Sequence, residues 1–187
     1  MDQNTIVAPT ITFRTHRPGD MGYIIHRHGL IYAREYGWDE RFEGMVARIA
    51  ADFVQHYDTT KERCWIAERN GEFLGSILLV GDKDNENVAR LRLLFVEPSS
   101  RGLGVGKQLV QQSIAFAKSA GYVQVVLYTQ SILSAACRIY ESFGFRITQE
   151  VSPEPFAPNS TGQIWACSLN SLNTPSAEAQ DRREDRT

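Results

Sequence analysis

The sequence predicts an α+β domain in which a central sheet of mixed direction, about seven strands wide, carries about four helices distributed over both faces. Three observations predict it. Apolar runs of strand length alternate with stretches of helical spacing in the order β-α-α-β-β-β-α-β-α-β-β. Glycine or an Asn-Gly pair stands where most of these elements must end. A chain of 187 residues, 42% hydrophobic and 22% charged, has apolar material for one ordinary core.

The elements follow in order. "TITFRTHR" (10–17) alternates like a strand, and Pro18-Gly19 breaks it. Asp20 is a candidate cap for a first helix through "MGYIIHRHGLIYAREYG", with Ile24, Ile25, Leu30 and Ile31 on its apolar side and Gly37 at its end. Asp39 caps a second helix whose stripe reads Phe42, Val46, Ile49, Phe53 and Val54. "CWIAER" and "EFLGSILLV" are strands joined at Asn70-Gly71, a hairpin signal. The strand "VARLRLLFV" runs into a glycine-rich loop, and "GVGKQLVQQSIAFAKSAG" is a helix closed by Gly121. Then come the strand "YVQVVLYT", the helix "ILSAACRIYESFG" closed by Gly144, and the strands "FRITQEV" and "GQIWACSL". Residues 8–169 form the expected single domain, and 170–187, polar and charged, an expected disordered tail.

Composition removes several function classes. A net charge of -2 carries no basic footprint, so no nucleic-acid partner is expected. Three cysteines without a CxxC pair form neither a disulfide framework nor a metal site. No segment reaches the roughly 18 apolar residues of a membrane span, and "MDQNTIVAPTITF" lacks the basic start of a secretion signal; the expectation is a cytoplasmic protein.

The chemistry concentrates in "SSRGLGVGKQLV" (99–110), where a strand gives way to a helix. Such a loop offers backbone N–H groups to an anion, most often phosphate. A Walker A loop requires glycine where Arg101 stands and a hydroxyl residue where Gln108 stands. A dinucleotide fingerprint starting at Gly102 requires glycine in place of Lys107. What remains is Arg-x-x-Gly-x-Gly: Arg101, Gly104 and Gly106.

At these residues the sequence resembles the GNAT superfamily of N-acetyltransferases, whose signature [RQ]-x-x-G-x-[GA] lies between the fourth strand and the next helix. The resemblance extends to "AACRIYESFGF", which matches A-x-x-x-Y-x-x-x-G-F with Ala136, Tyr140, Gly144 and Phe145 in register. It is strong over residues 88–147 and follows the element order over 10–169. The segment "HRPGDMGYIIHRHGLIYAREYGWDERFE" also looks like the acetyltransferase half of bacterial proteins that fuse this domain to a MarR-type DNA-binding domain.

The resemblance implies a mostly antiparallel GNAT-like sheet and acetyl-CoA as cosubstrate, with no metal. Arg101, Gly102, Leu103, Gly104, Val105, Gly106 and Lys107 would hold the pyrophosphate, and the backbone of Leu94, Phe95 and Val96 the pantetheine and acetyl carbonyl. Tyr140 would meet the cofactor and stabilise the leaving thiolate as general acid. The strand position where many family members carry a carboxylate holds Arg90 and Arg92 instead, with Glu97 at the strand's end, which leaves the base unassigned. The first helix offers Glu35 or His28 as that base and, with Tyr32 and Trp38, an acceptor wall; His28, Tyr32 and Glu35 share one helical face. The expected reaction is transfer to a primary amine of a small molecule or protein. The alternative is a noncatalytic acyl-CoA-binding sensor, and a homodimer is left open.

Overall fold

The computed structural model describes residues 10–170. The expected tail lies, past Asn170, outside the described residues. Strands β1 (Thr12–Thr15), β2 (Arg63–Arg69), β3 (Glu72–Gly81), β4 (Val88–Val96), β5 (Gln124–Gln130), β6 (Arg146–Val151) and β7 (Gly162–Ser168) appear in the predicted order. Helices α1 (Asp20–Tyr36) and α2 (Glu40–His56) follow β1, α3 (Val105–Ser119) follows β4, and α4 (Ser134–Ser142) follows β5. A short 3-10 turn, Pro98–Ser100, stands between β4 and the glycine loop.

All seven strands join one sheet in the order β1-β2-β3-β4-β5-β7-β6. Every neighbouring pair is antiparallel except β4 and β5. Local sequence accounts for the joints. Asn70 and Gly71 both take left-handed φ, 54° and 80°, the pair of angles that a type I′ hairpin turn requires. Asp39 accepts the Arg41 N–H at 3.1 Å and starts α2. Two expectations are corrected here. Asp20 is the first helical residue rather than the cap; its carboxylate accepts the Arg17 N–H and pairs with Arg14 at 2.6 Å, tying β1 to α1. Val54 is 55% exposed, because Ala50 takes the place beside Phe53 on the buried stripe of α2.

The sheet is covered on both sides, which explains the unbroken apolar run of β3. Ile77 and Leu79 enter the core beneath α3 and α4, while Leu78 enters the core beneath α1 and α2 with Ile24, Phe53, Cys64 and Ile66. Each of these buried side chains contributes about 1.5–3 kcal/mol. Among the described residues no helix is long and apolar enough to cross a membrane.

One irregularity positions the site. β4 and β5 pair only from Val88↔Gln124 to Leu91↔Leu127. Beyond that point β4 stays with β3, and β5 stays with β7 as far as Gln130↔Gly162. Leu93 has φ 50°, and both Leu93 and Leu94 stand opposite Ile77, a bulge that turns the strand away from β5. The two strands therefore diverge like the arms of a V.

Candidate functional site

Two cavities occupy that V. The larger, a cleft of about 430 Å³, is lined by the end of β4, the glycine loop, the start of α3 and the apolar edge of α4. Of the residues expected to hold a cofactor, Leu94, Phe95, Val96, Arg101, Gly102, Gly104, Val105, Gly106 and Lys107 line it. Leu103 does not; its side chain is 45% exposed.

The cleft is built mainly from backbone. Gly104 sits before α3 with φ 76°, a left-handed conformation that side chains resist. No side chain caps this helix, and its first internal bond runs from the Gln108 N–H to the Gly104 carbonyl, so the N–H groups of Val105, Gly106 and Lys107 have no acceptor inside the helix. Gly106 is needed for a different reason. A Cβ there would come within 3.0 Å of Ile139 Cδ1 and 3.3 Å of Val96 Cγ2, so the missing side chain lets α3, α4 and β4 close together. Along β4, the backbone groups that face away from β3 lose their sheet partners beyond Leu91.

The smaller cavity, about 100 Å³, lies where β4 and β5 part. It shares Tyr32, Leu94, Leu133 and Ala136 with the cleft, so the two spaces meet at those side chains. Tyr140 lines the smaller cavity rather than the cleft, one helical turn from Ala136. Its hydroxyl has no hydrogen-bond partner among the described residues, and burial raises its pKa far above the ordinary tyrosine value. The hydroxyl therefore keeps its proton at neutral pH.

Trp38 and Tyr32 occupy the wall of the smaller cavity with Phe42 and Phe156, ring centroids 4.7–5.3 Å apart. His28 lies deeper, 2% exposed and stacked on Tyr32. Its Nδ1 lies 2.8 Å from the Ile24 carbonyl, which only accepts, so Nδ1 carries the proton. Burial pushes its pKa down to about 4. The expectation of a group titrating near neutral pH is therefore corrected at His28, because burial among Tyr32, Phe42 and Phe95 removes most of the water that would stabilise its charged form.

Glu35 is corrected as well. It lines neither cavity; its Oε2 accepts from the Arg101 guanidinium at 2.9 Å, so the side chain ties the end of α1 to the glycine loop instead of facing the smaller cavity. Glu97 is gripped by both arms of Arg27 at 2.6 and 2.7 Å, a clamp between α1 and β4. Sequence reasoning missed the β5 contribution to the wall, Tyr128, Thr129 and Gln130, as well as Met45 and Phe156. No spacing signal could have exposed them: the β5 residues become lining only because β4 and β5 diverge, and Met45 on α2 and Phe156 before β7 are brought there by packing from afar.

Both the sequence and the fold have known counterparts. The Acetyltransferase (GNAT) family model matches residues 30–145. The rat protein "N-acetyltransferase family 8 member 3" is 31% identical over 120 residues, covering 62% of this chain and 53% of its own. An uncharacterized N-acetyltransferase of Schizosaccharomyces pombe is 30% identical over 128 residues, covering 68% of this chain and 77% of its own. Thus the chain spans about half the length of the rat relative. The fold matches that of spermidine N-acetyltransferase from Vibrio cholerae, solved with CoA and spermine, with a TM-score of 0.66, 16% identity and coverage of 86% of this chain and 96% of that one.

Proposed function

Because this chain belongs to the acetyltransferase (GNAT) family, we propose that it transfers an acetyl group from acetyl-CoA to a primary amine of a small molecule or protein, by direct attack in a ternary complex. The observation that carries this reading is the junction of the two cavities at Tyr32, Leu94, Leu133 and Ala136, with the backbone-lined cleft on one side and the Tyr140 hydroxyl on the other. When bound, acetyl-CoA would supply an acyl group activated as a thioester.

The residues present fit that molecule. The unpaired N–H groups of Val105, Gly106 and Lys107 at the positive end of α3, with the Arg101 and Lys107 side chains, suit a pyrophosphate. The unpaired edge of β4 over Leu94–Val96 suits an amide-bearing arm laid alongside it like another strand. In the transfer, the amine nitrogen attacks the acetyl carbonyl carbon; the C–N bond forms, the C–S bond breaks, and nitrogen gives up a proton while sulfur receives one. Tyr140 hydrogen-bonds the departing sulfur, since its raised pKa opposes outright ionisation. No Asp or Glu lines either cavity among the described residues, which supports an acceptor that arrives neutral or loses its proton through water. The same observation favours the second reading, an acyl-CoA sensor without turnover.

Thiol release from acetyl-CoA across a panel of amines separates the two. We expect turnover that falls with Tyr140→Phe; tight coenzyme A binding without acetylated product from any amine would favour the sensor.

A further inference from the structure

The wall of the smaller cavity holds two polar groups that the fold leaves without partners. One is the side-chain carbonyl of Gln130, a residue 3% exposed whose Oε1 makes no hydrogen bond. The other is Arg92, half-buried, whose guanidinium has no hydrogen bond or ion pair among the described residues; the residue stands between this cavity and a neighbouring one lined by Asp52, Asp82 and Asp84, none of which bonds it. Its neighbour on the same side of β4, Arg90, is satisfied by Asp82, whose carboxylate is thereby committed. Burial, and then the positive charge of Arg90, lower the Arg92 pKa, as expected of a cation lacking a counterion; Asp82 opposes this only in part.

The orientation of Gln130 is dictated by its neighbours. The Tyr128 hydroxyl has one proton, and the Glu154 carboxylate can only accept it, at 3.0 Å. Tyr128 must then accept from Gln130, whose Nε2 stands 2.9 Å away. Turning the amide over would set the hydroxyl between two acceptors with one proton, so Oε1 is the end left over. Glycine at 162 leaves room for the tyrosine in this position, because a Cβ there would collide with the Tyr128 hydroxyl and ring.

An orphaned carbonyl asks for an N–H donor, and an unpaired guanidinium asks for a carboxylate, which it can bind with two parallel hydrogen bonds. Trp38, Phe42, Met45 and Phe156 make the rest of the wall apolar. Resting on the acetyltransferase reading above, we infer that the acceptor is an amine that also carries a carboxylate, an amino acid with a compact apolar side chain, held by Arg92 through its carboxylate and by Gln130 Oε1 through its amine. A polyamine is disfavoured by the same guanidinium.

The test uses matched pairs that differ only in the carboxylate: L-phenylalanine against 2-phenylethylamine, and L-methionine against 3-(methylthio)propylamine, with spermidine as the polycationic control. Thiol release should favour the carboxylated member in kcat/KM by about 10-fold or more. Arg92→Gln should lower kcat/KM for that member by about 10–100-fold, chiefly through KM, and change the decarboxylated amine about 3-fold or less. Arg92→Lys, which keeps the charge without the fork, should fall between the two. Calorimetry on protein saturated with coenzyme A reads the same preference without turnover: L-phenylalanine should bind and lose its heat in Arg92→Gln. Equal or better use of the decarboxylated amines or of spermidine, or a pair ratio untouched by Arg92→Gln, would overturn the inference while leaving an acetyltransferase. Absence of any acetylation, with L-phenylalanine still bound through Arg92, would remove the catalytic reading and keep the carboxylate site.

Discussion

The cleft and the smaller cavity share a border yet are made differently. The cleft is a backbone structure: helix-terminal amides, an unpaired strand edge and glycines whose absent side chains let three elements meet. The cavity is a side-chain structure, assembled from α1, α2, β4, β5, α4 and the segment before β7. Backbone-built sites accept whatever chemistry every peptide offers and need residue spacing; side-chain-built sites depend on identities that topology brings together from afar. One is generic to a shape, and the other particular to a ligand.

The largest expected effect lies at the border. Tyr140→Phe keeps the ring packing against Phe145 and Trp165 and removes a hydroxyl without a partner, so kcat should fall by roughly 10- to 10⁴-fold while coenzyme A affinity is retained. A full-speed variant would leave the tyrosine as packing alone and break the proposed division of roles. Next comes His28 in the cavity wall. Its folded pKa of about 4 lies below its ordinary 6.5, so the unfolded chain takes up a proton first as pH falls. The stability it contributes is complete above pH 6.5 and is lost between 6.5 and 4, amounting to about 3 kcal/mol. His28→Leu should flatten the decline in melting temperature across that window; His16, shifted the same way by burial, leaves a residual slope.

The third effect belongs to the cleft. Gly106→Ala should weaken coenzyme A binding several-fold in calorimetry, and Ile139→Ala in the same chain should recover part of the loss by relieving the tight 3.0 Å contact. No recovery would mean that the glycine serves the ligand directly and not the packing. The smallest effect is at Glu35, whose ion pair with Arg101 is solvent-exposed. Glu35→Gln should alter coenzyme A affinity by only a few-fold and leave the amine's KM unchanged. A change confined to the amine would return Glu35 to the acceptor side.

These contrasts also set what could be read without coordinates. The order of elements, the Asn70-Gly71 hairpin and the cofactor loop were legible because each depends on local spacing and turn chemistry. Helical spacing put His28, Tyr32 and Glu35 on one face, and the first two line the smaller cavity, yet it could not tell that Glu35, one turn further along α1, reaches the glycine loop instead. Burial of His28 was likewise hidden, since its depth comes from Phe95 on β4 and Phe42 on α2. Tyr128 and Gln130 read as ordinary strand residues; only the end of β4–β5 pairing at Leu91↔Leu127 gives them a face on the cavity.

That short pairing has a mechanical meaning. The sheet is two leaves, β1–β4 and β5–β7, stitched together along a seam from Val88 to Leu91. A ligand lying in the open part of the V replaces the missing strand and lengthens the seam, so occupancy becomes a tensile property of the whole molecule. At a hundred times its dissociation constant such a ligand adds about 2.7 kcal/mol of stability, and amide exchange along β4 beyond Leu91 should slow as the two leaves stop breathing independently.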